Sequence, residues 1–289
     1  MFPKVPDQHK PDKPLIPNGF GVIYVLVSVV YLFLVYFFDL VKVSNGISPV
    51  LTLVVCILFG GFLGLLDDWI DLRWRYKAFL PIIAAIPLMS LAWASRATVR
   101  TSIALPFLGT IDFDVYYFFI IIPLLVTIVT NTVNQLGGLN GLETVCPAII
   151  MIGLMIVSRS YAILLYGPLV VWLLLAFMNV RGRIFVGNTG SFAIGITLAS
   201  FAIISDLKFD LAISVLPYVF NSSLILLTFF LFKTKANVSL DGKKLVSGHR
   251  RSLVTLITYK RPLTERQVVL IISLIMVVST SAALLFGLF

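Results

Sequence analysis

The feature that most constrains this chain is a series of nine apolar stretches, most of them as long as the roughly 17 to 25 residues that a helix needs to cross a bilayer. Apolar residues make up 59% of the 289-residue sequence, in agreement with that interpretation. We therefore expect an all-α polytopic membrane protein with about nine transmembrane helices, and no repeat divides residues 1–289 into more than one domain. The predicted spans are 20–38, 50–66, 78–94, 115–133, 144–158, 161–178, 190–205, 211–232 and 268–288.

The cationic residues are divided unequally between the two sides of the membrane that these spans define. With the N-terminus in the cytoplasm, the inner segments hold 17 of the 22 Lys and Arg residues. By the positive-inside rule this bias predicts the orientation and puts the C-terminus outside. The net charge of +9 then needs no nucleic acid to explain it, whereas an anionic substrate or lipid headgroup is a natural partner. The outer cations are Lys42, Arg96, Arg100, Arg159 and Lys208.

The second predicted span ends in a charged segment, Gly60–Lys77, in which three carboxylates precede three cations. Asp67 and Asp71 are four residues apart and Asp68 and Asp71 three, so a helix that continues past the apolar stretch gathers them on one face. Acids beside bases at a membrane boundary suit Mg²⁺ and the phosphates that it neutralises. A charged collar that stops the helix is the alternative, although a collar needs only cations. The cations are Arg73, Arg75 and Lys77.

The fourth predicted span ends in a segment rich in amides and glycine, TNTVNQLGGLNGLE, at residues 130–143. Asn131 and Asn134 share one helix face, and the glycines free the backbone to turn around Asn140. Polar residues at membrane depth usually face the protein interior or a water-filled cavity. Helix capping explains one Asn but not three Asn and three Gly within eleven residues, so we expect a functional segment here.

A small polar turn, Gly187–Ser191, leads into the seventh predicted span. Thr189 or Ser191 is predicted to act as the N-cap of that helix. Backbone amides at a helix start attract phosphate, but this pattern by itself indicates only a cap.

The longest polar segment is a basic loop, residues 233–267, which we expect on the cytoplasmic side. It carries nine cations and only two acids, and its centre groups His249, Arg250 and Arg251. A loop drawn to anionic lipid is one interpretation. A clamp for a diphosphate is the other, because Arg binds phosphate bidentately. In that case the loop is expected to be mobile and to close over a nucleotide.

The polar leader, His9–Gly21, is interrupted by three prolines that disfavour a helix, so it is predicted to lie extended at the membrane surface. The first 19 residues contain no apolar region typical of a cleaved signal peptide. Cys56 and Cys146 lie in or beside predicted spans and lack metal-ligand spacing, which predicts buried free thiols.

Four of these motifs lie on the same predicted side of the membrane, and together they supply what phosphoryl transfer needs: oxygen ligands for a metal, a turn that allows close approach, and cations for phosphates. The sequence resembles the polyprenyl-phosphate N-acetylhexosamine-1-phosphate transferases, glycosyltransferase family 4. The GGLNGLE form is closer to the eukaryotic and archaeal dolichyl-phosphate GlcNAc-1-phosphotransferases than to the bacterial phospho-MurNAc-pentapeptide transferase. The segments that carry the resemblance are LLDDWIDLRWRYK, NTVNQLGGLNGLE, FVGNTGSF, LPYVFNS and HRR.

The resemblance implies a reaction that begins lipid-linked glycan assembly. A dolichyl or undecaprenyl phosphate attacks the β-phosphorus of a UDP-sugar, with UDP-GlcNAc expected, so that UMP is released and a lipid-diphospho-sugar remains. It also implies Mg²⁺ as cofactor, with Mn²⁺ as a substitute, and a homodimer. The protein would lie in the cell membrane, or in the ER membrane of a eukaryote, with its active site facing the cytoplasm.

The resemblance also implies roles for particular residues. Asp67 and Asp68 would lie near the metal and the attacking phosphate, and Lys77 would contact phosphate. The turn around Asn140 would hold uridine, and the late HRR segment would hold the diphosphate and sugar. The implied metal ligands are Asn134 and Asn188, and the implied substrate-binding residues are Gly138, Asn140, Glu143, His249, Arg250 and Arg251.

The chain departs from the family pattern in three ways. The family turn is typically FVGDTG with its Asp on the metal, whereas this chain has Asn188. An amide oxygen can ligate Mg²⁺ but brings no charge, so the metal is expected to bind more weakly. Three explanations of Asn188 stay open: a natural variant, a weakened enzyme, or a deliberate Asp-to-Asn change. The family usually has ten spans rather than nine, and its acidic residue after the leader's Ile-Pro is Asn18 here.

Two other function classes stay open from the sequence alone. Asp67, Asp68 and Asp71 also form the DDxxD pattern of intramembrane prenyltransferases, but such enzymes generally need a second Asp-rich cluster, which the remaining inner loops do not offer. A transporter or lipid-phosphate binder without catalytic activity would use the same polar cavity. Turnover of a nucleotide sugar separates that class from the transferase.

Overall fold

The computed structural model describes residues 2–41, 47–96, 99–105, 109–158, 160–234 and 237–287. Helices dominate this part of the chain, and each predicted apolar stretch coincides with helical residues. Two of the outer cations, Lys42 and Arg159, lie outside the described residues. The helices are α1 Gly21–Phe37, α2 Pro49–Ile70, α3 Trp74–Phe79, α4 Pro81–Ala84, α5 Ile86–Ala94, α6 Ile122–Gln135, α7 Leu142–Ser158, α8 Ile163–Val180, α9 Gly187–Ile204, α10 Lys208–Ser214, α11 Leu216–Leu227, α12 Leu253–Ile257 and α13 Glu265–Gly287, with π-helical turns at Tyr117–Ile121 and Thr228–Phe232.

Six helical segments in the described residues are long and apolar enough to cross a membrane. A seventh span results if the bent pair Lys208–Ser214 and Leu216–Leu231, which meet at 56°, is counted as one. Two further apolar helices, α1 and α7, have 17 residues each. The chain is therefore an all-α integral membrane protein, as the sequence predicts, while the count of nine spans stays a prediction.

Helix α9 lies at the centre of the bundle. It is 83% buried, whereas the windows Trp74–Ala94 and Glu265–Leu285 are only 28% buried. Small residues along α9, such as Gly190 and Gly195, let its neighbours approach closely, which is how membrane helices pack where lipid removes the hydrophobic driving force. Helices α1, α2 and α6 pack around it. The start of α9 is therefore enclosed by three other helices.

The polar leader and the residues before it, together residues 2–20 and called the leader from here on, form a small hairpin instead of a single extended segment. Its strands are β1 Lys4–Pro6 and β2 Leu15–Pro17, which pair antiparallel. The Pro17 carbonyl accepts a hydrogen bond from the Phe185 amide at 2.8 Å, and the Phe20 amide donates to the Phe185 carbonyl at 3.1 Å. Of the predicted extended segment only Leu15–Pro17 forms a strand, and residues 8–12 form turns and a bend that fold the chain back. The second strand is tied to the residues that precede α9.

The basic loop also contains ordered structure that the sequence pattern did not predict. Strands β5 Ser239–Asp241, β6 Lys244–Val246 and β7 Leu263–Thr264 form one antiparallel sheet. The short helix α12 begins with a capping box in which the Ser252 and Thr255 side chains each bond the other residue's backbone amide. A further hairpin joins α5 to the π-helical turn before α6, with strands β3 Ser102–Leu105 and β4 Gly109–Asp112. Cys56 and Cys146 are buried and free, which confirms that prediction.

Candidate active site

The charged segment at the end of α2 does not gather its three carboxylates on one face. Ser48 caps the start of α2, and the helix ends at Ile70 because Asp71 takes a left-handed conformation with φ 44°. The Asp71 side chain is consequently 97% exposed. The expectation that Asp71 continues the acidic helix face is therefore wrong, since the helix stops one residue too early.

Asp67 forms a buried ion pair with Lys77. The Lys77 ammonium lies 2.8 Å from Asp67 Oδ1 and 3.3 Å from Asp71 Oδ1. Asp67 Oδ1 also accepts a hydrogen bond from the Leu72 amide at 3.0 Å. The other carboxylate oxygen, Asp67 Oδ2, is buried and has no hydrogen-bond partner among the described residues. One oxygen of this carboxylate thus has acceptor capacity that the described residues do not satisfy.

Asp68 has a different environment from Asp67, because it faces the start of α9. Its Oδ1 accepts from the Asn188 amide at 2.9 Å, and its Oδ2 accepts from the Thr189 amide at 2.9 Å and the Thr189 hydroxyl at 2.7 Å. Helix α9 begins after Val186, which has no side chain that can cap it. The prediction that Thr189 or Ser191 caps this helix is wrong, because a carboxylate from α2 does so.

Asn134 is joined to the same first turn of α9. The Ser191 hydroxyl donates a hydrogen bond to Asn134 Oδ1 at 2.6 Å. Residues from α2 and α6 therefore meet at α9, whose first turn also carries the half-buried Asn188. Asp68, Asn134 and Asn188, which the sequence singles out in three separate motifs, therefore lie near one another at the start of α9, while their roles stay predictions.

Asn140 lies in a buried polar network instead of facing open solvent. Its side-chain amide donates to Asp7 Oδ2 at 2.7 Å and to Glu265 Oε1 at 3.1 Å, and its backbone amide donates to Glu265 Oε1 at 2.7 Å. Lys10 forms an ion pair with the same Glu265. The network joins the leader, the Asn- and Gly-rich turn and the start of α13.

Two other residues of that turn, Gly138 and Glu143, line a cavity of about 260 Å³ beside the start of α9. The leader forms the opposite wall, and Asn18 and Gly187 complete it. A Cβ on Gly187 would lie 2.8 Å from Asp68 Oδ2 and 2.9 Å from Asn18 Oδ1, so both side chains lie close to this backbone. The φ of 71° at Gly187 also favours glycine.

The His249–Arg251 segment adjoins a second, larger cavity of about 630 Å³. The Arg250 guanidinium lies over the Tyr259 ring, 4.2 Å from its centre, and Arg251 donates to the Thr234 hydroxyl at 2.7 Å. Thr234 and Ser252 line this cavity, which shares the wall residues Gln8, His9 and Gly138 with the smaller one. The structure thus places the segment near the leader, while Arg250 and Arg251 contact Tyr259 and Thr234 within the basic loop.

The oxygen donors at this site fit a magnesium ion in their chemistry. Across the described ranges, no group of three or more His, Cys, Asp or Glu side chains is placed to hold a metal. Mg²⁺ is usually bound by one or two carboxylates and by substrate phosphates, so such a group is not required. The candidate ligands are Asp67 Oδ2, which has no partner in the described residues, Asn134 Oδ1, which also accepts from Ser191, and the side chain of Asn188.

Several residues of the site were not predicted from the sequence. Asp7, Lys10 and Glu265 lie in segments that local pattern leaves unconnected, and only the fold brings them together. The capping role of Asp68 has a readable signal, because Gly60 and Gly64 precede it at intervals of four residues. Such small-residue spacing typically marks a close helix contact.

Comparison with known proteins bears on the same residues. The family model described as glycosyl transferase family 4 matches residues 50–206, which include α2 and α9. A protein of Saccharolobus solfataricus provisionally named UDP-N-acetylglucosamine–dolichyl-phosphate N-acetylglucosaminephosphotransferase is 33% identical over 277 residues, or 92% of this chain and 82% of that protein.

More distant relatives are also similar over most of the chain. The Saccharomyces cerevisiae UDP-N-acetylglucosamine–dolichyl-phosphate N-acetylglucosaminephosphotransferase is 24% identical over 74% of this chain and 58% of its own length. A Clostridium perfringens phospho-N-acetylmuramoyl-pentapeptide-transferase is 27% identical over 79% of this chain and 72% of its own length. The chain thus spans less than two thirds of the yeast relative.

Proposed function

Because the chain belongs to glycosyl transferase family 4, we propose that this integral membrane enzyme transfers N-acetylglucosamine 1-phosphate from UDP-GlcNAc to dolichyl phosphate or another polyprenyl phosphate. The observation that carries the proposal is the 33% identity over 92% of the chain to a relative with that name. The meeting of Asp68, Asn134 and Asn188 at one helix start supports it.

The proposed reaction is a phosphoryl transfer. An oxygen of the lipid phosphate forms a bond to the β-phosphorus of UDP-GlcNAc, and the bond from that phosphorus to the bridging oxygen breaks. UMP leaves with the bridging oxygen, and the lipid carries a diphosphate linked to the sugar. A phosphate monoester has its second pKa near 6, so it is mostly ionised near neutral pH and needs little proton removal. Catalysis then depends on position and charge rather than on a strong base.

The residues of the site suit that requirement. The Lys77 ammonium is held by Asp67 and Asp71 at the membrane boundary, where it can bind a phosphate oxygen. The free Asp67 Oδ2, Asn134 and Asn188 would hold Mg²⁺, which when bound neutralises the charge of the diphosphate. The cavity lined by Gly138 and Glu143 suits the nucleotide, and the basic segment beside the larger cavity suits the phosphates.

The experiment that tests the proposal measures UMP release from UDP-GlcNAc in the presence of dolichyl phosphate and Mg²⁺. The purified chain should release UMP, and omission of the lipid should abolish release. An Asn188→Asp variant should reach half-maximal rate at a lower Mg²⁺ concentration, because it adds a charged oxygen ligand. The proposal would be contradicted if neither protein released UMP from UDP-GlcNAc or another UDP-sugar with either dolichyl or undecaprenyl phosphate.

The two alternative functions make different predictions in that assay. The prenyltransferase interpretation is weakened by geometry, because Asp68 bonds α9 while Asp71 is exposed, so the DDxxD carboxylates do not form one cluster. A non-catalytic relative would bind UDP-GlcNAc or lipid phosphate without releasing UMP. Release by the Asn188→Asp variant alone would identify a transferase scaffold that Asn188 has disabled.

A further inference from the structure

One face of α2 brings its backbone against the backbone of α9. Gly60, Gly64 and Asp68 follow one another at intervals of four residues, so they lie on the same side of the helix. A Cβ on Gly60 would lie 3.1 Å from Ala193 Cα, and a Cβ on Gly64 would lie 2.2 Å from the Asn188 carbonyl oxygen. Asp68 is the next residue on this face, and it reaches the end of α9 that the two glycines bring near.

The start of α9 depends on this carboxylate. The first amides of any helix lack partners within the helix, and Val186 cannot supply a side-chain acceptor. Asp68 accepts hydrogen bonds from the amides of Asn188 and Thr189 with one oxygen each, and the Thr189 hydroxyl adds a third. Its negative charge is also favourable at the positive end of the helix dipole.

The neighbouring carboxylate, Asp67, keeps one oxygen without a hydrogen-bond partner in the described residues. Asp67 lies on a different face of α2 from Asp68, since successive residues of a helix are about 100° apart. Its Oδ1 accepts from Lys77 and Leu72, and its Oδ2 is buried without a partner in the described residues. Asp68 already accepts three hydrogen bonds from α9, so only Oδ1, with a single bond, retains capacity to accept another ligand.

We infer that Asp68 is a positioning residue that holds Asn188 at the start of α9, and that Asp67 is the carboxylate left to face the reacting groups. This inference rests on the proposed function for the role of Asn188. Asp68 acts through the backbone of Asn188 and Thr189 and makes no contact with substrate of its own. The two adjacent acids therefore have separate roles in one site.

The first test measures hydrogen exchange and needs no substrate. An Asp68→Asn variant replaces one acceptor oxygen by an NH₂ group, so exchange at the Asn188 and Thr189 amides should accelerate by roughly tenfold, the effect of losing about one hydrogen bond. The matched control is Asp67→Asn, the same change one residue earlier, which should leave these amides unaltered. Unaltered exchange in Asp68→Asn would overturn the inference.

The second test measures UMP release as a function of Mg²⁺ concentration. Loss of a residue that orients a metal ligand typically lowers metal affinity by about 10- to 100-fold, so Asp68→Asn should raise the half-saturating Mg²⁺ concentration by that factor and keep much of its maximal rate. Asp67→Asn should instead lose turnover at every Mg²⁺ concentration. Loss of turnover at every concentration in Asp68→Asn, with its amides still protected, would show that Asp68 contacts the reacting groups.

If Asp68→Asn does not fold, a milder substitution at Thr189 tests the same inference. Thr189→Ala removes only the hydroxyl bond to Asp68, and it should shift exchange and Mg²⁺ dependence in the same direction by less, while Thr189→Ser should restore both. A Thr189→Ala variant that matches the wild type in both measurements would contradict the inference. If the exchange results hold but no protein releases UMP, the proposed function fails and the positioning role of Asp68 stands.

Discussion

Asp67 is a carboxylate whose side chain is fully buried and whose charge is balanced mainly by Lys77. Taking a carboxylate out of water is costly, and the cost is recovered only while its partner is present. Asp71, the second contact of Lys77, is solvent-exposed, and exposed ion pairs contribute little. Two acids that contact the same lysine therefore contribute very differently to the stability of the folded protein.

Substitution of Lys77 should show that difference. A Lys77→Met variant leaves Asp67 buried and unpaired, and it should lower the free energy of unfolding by roughly 3 kcal/mol, the low end for a broken buried pair. We use the low end of the range for buried ion pairs because the Lys77 side chain is 26% exposed, which weakens the pair. Thermal unfolding in detergent measures the effect, and Asp71→Asn is the control that should change it little.

A double variant, Lys77→Met with Asp67→Asn, should recover part of that stability, because the isolated charge is gone. No recovery in the double variant would mean that Lys77 acts by packing rather than by pairing with Asp67. An equal loss in Asp71→Asn would mean that the exposed pair contributes as much as the buried one.

The sequence could identify residues of this site but not their partners. Asp67, Asp68 and Asn134 were found because charged and amide side chains stand out beside apolar stretches, whereas Asn188 was singled out by the family resemblance. Their contacts depend on which helices are neighbours, and a periodic pattern within one helix does not specify that. The network of Asp7, Lys10, Asn140 and Glu265 could not be predicted either, because a local pattern does not specify which distant segments are neighbours. Its members are as many as 258 positions apart along the 289-residue chain.

At the level of elements, the contact between α2 and α9 decides where the site lies. It consists of backbone against backbone at Gly64, where no side chain separates the two helices. A Gly-to-Ala change inside an exposed helix would gain roughly 0.8 to 1 kcal/mol from helix propensity. Here a Cβ would lie 2.2 Å from a backbone oxygen, so overpacking of about 1 to 3 kcal/mol or more should exceed that gain.

We therefore expect Gly64→Ala to lower thermal stability in detergent and to reduce UMP release, since it pushes the start of α9 away from Asp68. Gly248→Ala is the control, because a Cβ there meets nothing within 4 Å. It should change the free energy of unfolding by less than about 0.5 kcal/mol. A Gly64→Ala variant as stable and active as this control would contradict the close contact.

Elements were predictable to different degrees for physical reasons. The apolar stretches predicted the helices, because a run of apolar residues in a membrane has few alternatives to a helix. The end of α2 was missed because Asp71 adopts a left-handed conformation, which charge spacing does not signal. The leader hairpin and the sheet of the basic loop were missed because their strands are two or three residues long, too short for a recognisable alternation.

For the whole molecule, the unequal distribution of Lys and Arg supports a site that faces the cytoplasm. The leader, the start of α9 and the basic loop adjoin one another through the two cavities, so they lie at the same end of the bundle. The β3–β4 hairpin follows the apolar span Trp74–Ala94, whose first turn contains Lys77, and the charge rule puts this hairpin on the outer side. The expected homodimer stays a prediction.

Labelling of single cysteines tests this orientation, because Cys56 and Cys146 are buried and should react little with a membrane-impermeant thiol reagent. A Lys243→Cys variant presents an exposed thiol in the turn between β5 and β6, and Thr110→Cys presents one in β4. In sealed cells Thr110→Cys should be labelled, and Lys243→Cys should be labelled only after the membrane is permeabilised. The reverse pattern would place the candidate active site on the outer face, and the proposed use of a cytoplasmic nucleotide sugar would then fail with it.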